Sequence, residues 1–509
     1  MEKRFNWRLS GVFICLLLAA LSLYRPPAAQ EGCLGVSVMD EQTYAALAPA
    51  DDLSFADSLM YNGQRAAVDH ASGTAYLSVA LAQDAAELTG SLYLKDSPFS
   101  LYFAPDPMLR DLPAAIAGGH AFELIALRGS ENARLSVVFT PLIVISMTAD
   151  DPLKDHTDPE LTHDGALSIW EPGEKAQSTH ANWHRRGRST LLYRKGSWRI
   201  TLKTALGKAS QLSLGNLGHD DDWVLNSMII DDLKVRERFV STLWNTLHAD
   251  DIRAVRMSQG RYAEVILNGE YAGLYLLQRR IDEDYLGLNK TQDILLKGNS
   301  ISEIASVEDA FLIESSPRSA RVTYDLAAPA YTLEGLDDTL SIDLDNWIDL
   351  DLFVLFGALF DSYQFRNTFY VLRPSGNSYS MSTLLWDTDV SFGIEYIDLS
   401  GFKYLPDDEY FPALVHRREY EALKALYPDL DARIAARWQE LRQGLFSRES
   451  LIAQLDALNG ELVSSGARAR DWNTWPLRHH GKESYEAMLR FIDRRLSQMD
   501  EALALQTSK

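Results

Sequence analysis

The chain has 509 residues, of which 46% are hydrophobic, 24% charged and 10% aromatic. That is enough for two or three domains with cores of their own, and it excludes a disulfide-stapled miniprotein or a disordered acidic tail. Lys and Arg number 49 against 71 Asp and Glu, a formal net charge of −22. Such a field repels a phosphate backbone, so nucleic acid is not an expected partner.

Lys3, Arg4 and Arg8 precede an apolar run at 12–24 that is too short to span a bilayer comfortably. Pro26, Pro27, Ala28 and Ala29 then supply a helix break and small residues suited to signal-peptidase cleavage. Residues 1–29 are therefore expected to be an export signal, which makes the rest of the chain secreted or cell-surface. An uncleaved N-terminal anchor is the alternative, and the one route to a membrane. Without residues 1–29 the charge becomes about −25. Cys15 lies inside the signal and Cys33 stands alone, so no internal disulfide is expected.

Short β-rich runs at 75–79, 90–94 and 100–103, separated by Asp, Pro and Gly, predict a small β-sandwich without a catalytic constellation. We assign it to an accessory domain, 30–139. A second β-rich block opens with 137–139 and 142–145 and reaches to about 300. In it, 262–267 alternates, Asn268-Gly269 can turn tightly, and 271–277 returns. Leu233, Phe239, Val240, Leu243 and Leu247 recur at helical spacing over 232–247. Beyond 301 the chain reads as mostly helical, with helices expected at 429–445, 448–464 and 484–505. Trp438, Leu441 and Leu445 line one packed face.

The chemistry concentrates between 346 and 393. Residues 347–360 read as a buried helix ending at Asp361, and Asn367 follows. Strands at 368–372 and 379–385, joined by a turn at 374–377, then deliver Asp387, Asp389 and Phe392-Gly393. A hairpin brings its two open ends together, so Asp361 and Asn367 are predicted to lie beside Asp387 and Asp389. Hard oxygen donors gathered at a sheet edge suit Mg²⁺ or Mn²⁺. The order of parts is also that of a protein-kinase lower lobe. Asp-x-Asp turns serve equally as Asx-turns or structural calcium sites, and from the residues alone both readings stand.

In addition, the chain resembles the CotH kinase family over roughly 140–509. The matching pieces are Arg186-Gly187-Arg188-Ser189-Thr190, Lys195 ahead of Trp198-Arg199-Ile200, Trp223-Val224-Leu225, Asp231 and Arg236. They continue with Asn268-Gly269-Glu270-Tyr271, Leu296-Lys297, 361–370, 386–393 and the helix around Trp438. The resemblance implies an α+β, atypical protein-kinase-like fold. Its mostly β upper lobe would be 140–300 and its mostly α lower lobe 301–509, with the β-rich domain in front. It further implies a secreted kinase that uses ATP and Mg²⁺ or Mn²⁺ to phosphorylate Ser or Thr of proteins at a cell or spore surface.

Carried onto this sequence, Asp361 and Asn367 are the catalytic candidates, and Asn367, Asp387 and Asp389 the metal ligands. Which aspartate dominates stays open. Arg186, Lys195, Arg236 and Lys297 are the candidate phosphate-binding cations, with Arg194 or Arg199 as substitutes for Lys195. Two positions depart from the family pattern. An acidic residue is expected ahead of Ile281, where this chain has Gln278-Arg279-Arg280, and Glu237 replaces an expected Asn. A pseudokinase acting as a surface or coat-assembly binding protein is therefore the alternative, although Arg279 could itself contact phosphate. A polysaccharide hydrolase with paired carboxylates is a third reading.

Overall fold

The computed structural model is a mixed α+β protein. It describes residues 30–48, 55–80, 88, 90–152, 155, 157–187, 189–251, 253–299, 303–336, 338–398, 401–404, 411–476 and 484–506. The expected export signal lies outside them. Among the described residues, no helix is long and apolar enough to cross a membrane. The chain divides into two compact units, Met1–Val144 with Ile169–Gln177, and Ile145–Ser168 with Ser178–Lys509.

In the first unit, a seven-stranded sheet runs in the order Gln30–Cys33, Val36–Val38, Ser100–Phe103, Ala121–Arg128, Glu131–Thr140, Thr74–Ser78 and Ala67–Asp69. Phe103, Phe122 and Phe139 pack together at its centre, with ring centroids 5.3–6.5 Å apart. One expectation is corrected here. The run at 137–139 does not open the second block, because Ser136 to Thr140 pair in parallel with Thr74 to Ser78 inside this sheet. Leu92–Leu94 leaves the main sheet for a three-stranded one with Leu59–Tyr61 and Gln64–Arg65.

A closed barrel, most of whose residues belong to the second unit, consists of β1 (Ile143–Ala149), β2 (Thr162–Trp170), β3 (Gln177–Arg186), β4 (Ser197–Lys203), β5 (Asp222–Asn226), β6 (Gly260–Leu267) and β7 (Glu270–Arg279). Around the barrel the order is β1-β2-β3-β4-β5-β7-β6. The β6–β7 turn uses Asn268 (φ 50°) and Gly269 (φ 76°), the two positive angles that a tight right-twisting hairpin requires. Helix α1 (Arg236–Leu247) starts four residues later than its apolar spacing suggests. Asp231 accepts the amides of Leu233 and Arg236, and this winds 231–235 into a turn.

A five-stranded sheet follows, made of β8 (Ile294–Gly298), β9 (Phe311–Ser315), β10 (Leu340–Ile342), β11 (Thr368–Ser375) and β12 (Ser378–Leu385) in the order β9-β8-β11-β12-β10. The expected lobe border at 300 does not separate β8 from the hairpin, because Lys297 of β8 pairs with Phe369 of β11. One apolar cluster, including Val224, Leu295, Phe369, Val371, Leu384 and Trp386, joins the barrel to this sheet.

The further helices of eight residues or more are α2 (Ala320–Thr332), α3 (Leu344–Gly357), α4 (Leu430–Gln443), α5 (Arg448–Ser464), α6 (Ala467–Thr474) and α7 (Tyr485–Gln506). Helix α3 is capped by Asp343, buried on every face from Trp347 to Gly357, and stopped by Ala358 in the left-handed region. Its Phe353 and Phe356 pack on Phe446, 5.1 and 4.8 Å away between centroids, so α3 is the axis of the helical half.

Candidate active site

The open end of the β11–β12 hairpin brings the predicted residues together. Trp386 donates its amide to the Asn367 carbonyl at 2.9 Å, and Asn367 Nδ2 reaches the Asp387 carbonyl at 3.4 Å. The register demands this, since Thr368 stands opposite Leu385. The strands leave the ladder one step apart, through left-handed Asn367 (φ 51°) and Asp387 (φ 60°). Asn and Asp tolerate that region better than other residues with a side chain.

Asp389 lies on the same turn and is only 6% exposed. Among the described residues, the carboxylates of Asp387 and Asp389 accept no hydrogen bond and form no ion pair. Burial pushes the Asp389 carboxyl well above its ordinary range, and the charges of Asp387, Glu237, Asp231 and Asp361 add to the effect. Asp361, in a short 3₁₀ turn at Phe360–Ser362, is also raised by burial. Arg366, 3.8 Å away, opposes this and Asp387 reinforces it. The cluster therefore carries more negative charge than the surrounding protein neutralises.

Four sets of contacts, from α1, α3 and α7, hold the turn in this shape. Thr388, between the two aspartates, donates its amide and its hydroxyl to Glu237 Oε2, the hydroxyl at 2.8 Å. Arg236 pairs with Asp231 and donates from Nε to the Ser391 carbonyl at 2.9 Å and from Nη2 to the Phe392 carbonyl at 3.3 Å. Phe392, itself left-handed at φ 43°, donates its amide to the Gly357 carbonyl at the end of α3 at 2.8 Å. Its ring packs on Phe239, Phe356 and Phe491 at 5.4, 5.4 and 6.2 Å. A bulky residue at positive φ is strained, and this packing is what holds it there.

Cations face the acidic turn. The Arg186 guanidinium sits 5.3 Å from the Trp386 ring centroid, and the Lys297 amine 5.3 Å from that of Phe369. Burial lowers the pKa of both. Asp387 and Glu237 work against the shift at Arg186, while Arg186 and Arg280 deepen it at Lys297. Arg186 and Lys297 thus repel each other beside Asp387, while Arg280, whose charge acts on both, is ion-paired with Glu314.

Three expected roles change. Lys195 is fully buried, with its amine 2.6 Å from both Asp471 Oδ1 and the Leu274 carbonyl. Burial pushes the amine down to about 7 while Asp471 opposes this, so it is a packing ion pair rather than a phosphate contact. Arg236 is likewise buried and spends its donors on Asp231 and the 391–392 carbonyls. Arg279 is held by Asp220 at 2.6 Å, and Arg280, whose charge acts on Arg186 and Lys297, is held by Glu314.

The donor set fits a hard divalent cation in part. Among the described residues no three His, Cys, Asp or Glu side chains are gathered to hold a metal. Asp387, Asp389 and the Asn367 amide oxygen could supply three oxygens, with water and phosphate completing the shell, as Mg²⁺ prefers.

Glu237, one of the departures from the family pattern, accepts from Gln278 Nε2 at 3.4 Å, while Arg279 next to Gln278 is held by Asp220. The buried acid stands on the helix and the amide on the strand. Gln278→Glu should place two buried carboxylates together and lower stability by about 2–3 kcal/mol. The exchange Glu237→Gln with Gln278→Glu should recover most of that loss in urea titrations. A double variant as unstable as Gln278→Glu alone would show that the two side chains do not act as a unit.

The family model described as CotH kinase protein matches residues 184–330 and 339–499, and so covers the barrel from the end of β3, the hairpin and the helices. No relative among curated proteins matches the chain.

Proposed function

We propose, since the chain belongs to the CotH kinase family, that it is an exported phosphotransferase. In this reading it moves the terminal phosphoryl group of ATP to Ser or Thr hydroxyls of proteins outside the cytoplasm. Membership suggests a kinase-related function using a nucleotide and a divalent metal in general. The substrate class, the export and the residue roles are our reading.

The observation that carries the reading is the closure of Asn367 on Asp387, with two carboxylates left unpartnered next to a cation group. The barrel with α1 would act as the upper part of a kinase-like fold, and the hairpin with α3 to α7 as the lower part. Asn367, Asp387 and Asp389 would hold Mg²⁺ or Mn²⁺, which when bound neutralises charge on the transferring phosphoryl group. Arg186 and Lys297 would bind phosphate oxygens. Asp361 would orient the acceptor hydroxyl and take its proton, a task that its raised pKa favours.

The test is to incubate residues 30–509 with ATP and Mg²⁺ or Mn²⁺ and look by intact mass for phosphate added to the chain itself and to extracytoplasmic proteins. Metal-dependent addition on Ser or Thr is the expected result. If ATP with metal shifts the melting temperature but no phosphate is transferred, the pseudokinase reading takes its place. If reducing sugar is released without ATP, the hydrolase reading does.

A further inference from the structure

The loop that carries Asp361 has little to hold it. Apart from the Phe360 amide on the Ala358 carbonyl and the Ser362 amide on the Leu359 carbonyl, both at 2.9 Å, and the Thr368 hydroxyl on the Arg366 carbonyl at 2.8 Å, its backbone is held from outside, at 362–364. The partners come from a segment more than fifty residues later in the chain. Arg417 Nη1 donates to the Ser362 carbonyl at 2.6 Å, the Arg418 amide to the Tyr363 carbonyl at 3.4 Å, and Arg417 Nη2 to the Gln364 carbonyl at 3.5 Å. Three consecutive carbonyls are thus taken by two consecutive residues.

Each arginine is anchored to a different helix. The Arg417 amide donates to Asp351 Oδ1 of α3 at 2.8 Å, and His416 Nδ1 lies 2.6 Å from Asp351 Oδ2. The Arg417 side chain is 1% exposed and lies 3.4 Å from Glu419 Oε2. The Arg418 side chain runs the other way. It donates to the Ala330 carbonyl at 2.6 Å and to the Tyr331 carbonyl near the end of α2, with its guanidinium 4.3 Å from the Phe365 ring centroid. The loop's remaining face is closed by β8, where a Cβ on Gly298 would fall 1.6 Å from the Phe365 carbonyl oxygen. The loop is therefore clamped between α3, α2 and β8, and the two arginines are the fasteners.

We infer that Arg417 and Arg418 are positioning residues for the Asp361 loop, fixing its backbone so that Asp361 meets the acceptor while leaving nucleotide binding to other groups. The catalytic part of this inference rests on the proposed phosphotransferase reading; the clamp itself does not. A planar five-donor guanidinium suits neighbouring carbonyls in a way a lysine ammonium does not.

The test compares Arg417→Lys, Arg417→Met and Arg418→Ala with the unaltered chain, using hydrogen–deuterium exchange and steady-state kinetics. Amides of 361–367 should exchange at least about tenfold faster in every variant, with α4 and α5 unchanged. Phosphoryl transfer to protein should lose up to about 100-fold in kcat at an unaltered KM for ATP, because small misplacements of a reacting group have effects of that size. Wild-type exchange at 361–367 in Arg418→Ala and Arg417→Lys would overturn the clamp. A rise in KM for ATP that accounts for the loss of activity would overturn the positioning role. If Arg417→Met does not fold, the other two variants decide. If the unaltered chain transfers no phosphate, the kinase reading fails and the exchange result still decides the clamp.

Discussion

Exchanging Asp387 and Asp389 together for asparagine is expected to reduce phosphoryl transfer by at least about 1,000-fold and to make the ligand-free protein more stable. The two effects share a cause. Asp389 is buried beside four other carboxylates with no hydrogen-bonding partner among the described residues, an arrangement that favours a bound cation and penalises the empty fold. Removing the repulsion should raise the melting temperature by about 2–5 °C. The same logic fixes the pH dependence. The Asp389 pKa is raised above its ordinary 3.8, so the group adds stability below that value and loses it as the pH climbs through the raised value. That slope should vanish in the double variant. Thermal scans with and without Mn²⁺ check the binding side, because the metal-induced shift should disappear while the baseline rises. Undiminished transfer of labelled phosphate would defeat the assignment. The single variant that loses more of the Mn²⁺ shift identifies the dominant ligand.

The elements that bracket this site were legible because they are local. The apolar run ending in Asp361 could be little other than a buried helix, and the alternating strands at 368–385 had to place Asn367 opposite the residues that follow Leu385. The contact between Asn367 and Asp387 follows from that register. What escaped the sequence is pairing at long range. Lys195 has the same chemistry whether it faces a phosphate or Asp471, and Asp471 is 276 residues away on a helix, α6, that the apolar spacing did not announce. Arg279 and Arg280 differ by one position, yet Arg279, the last residue of β7, pairs with Asp220 and Arg280, just past the strand, with Glu314. Glu237 looked like a departure from a pattern, and it is the acceptor that fixes Thr388 between the two aspartates. The border at 300 failed for a related reason, since β8 takes its partner from 369–372 rather than from the barrel.

Arg236→Met should be the most destabilising single change in the unit, by about 3–5 kcal/mol, because it strands a buried carboxylate at Asp231 and two carbonyls at 391 and 392. Asp231 keeps the amides of Leu233 and Arg236, which sets the expected loss towards the lower end of that range. The urea midpoint should fall with an unaltered slope if the fold remains two-state. Kinetics then separate the two roles offered for this arginine. A phosphate-binding cation would show its loss in the KM for ATP with little change in stability. A residue that shapes the 387–393 turn would lose stability and kcat together, with the KM for ATP nearly constant in the folded fraction. Arg236→Lys should behave like the methionine variant, because an ammonium cannot reach a carboxylate and two carbonyls as a planar fork does. Adding Asp231→Asn to Arg236→Met should restore most of the stability by removing the stranded charge. It should restore little of the activity, since nothing then holds the Ser391 and Phe392 carbonyls, and the aspartates two and four residues before Ser391 are placed by that hold.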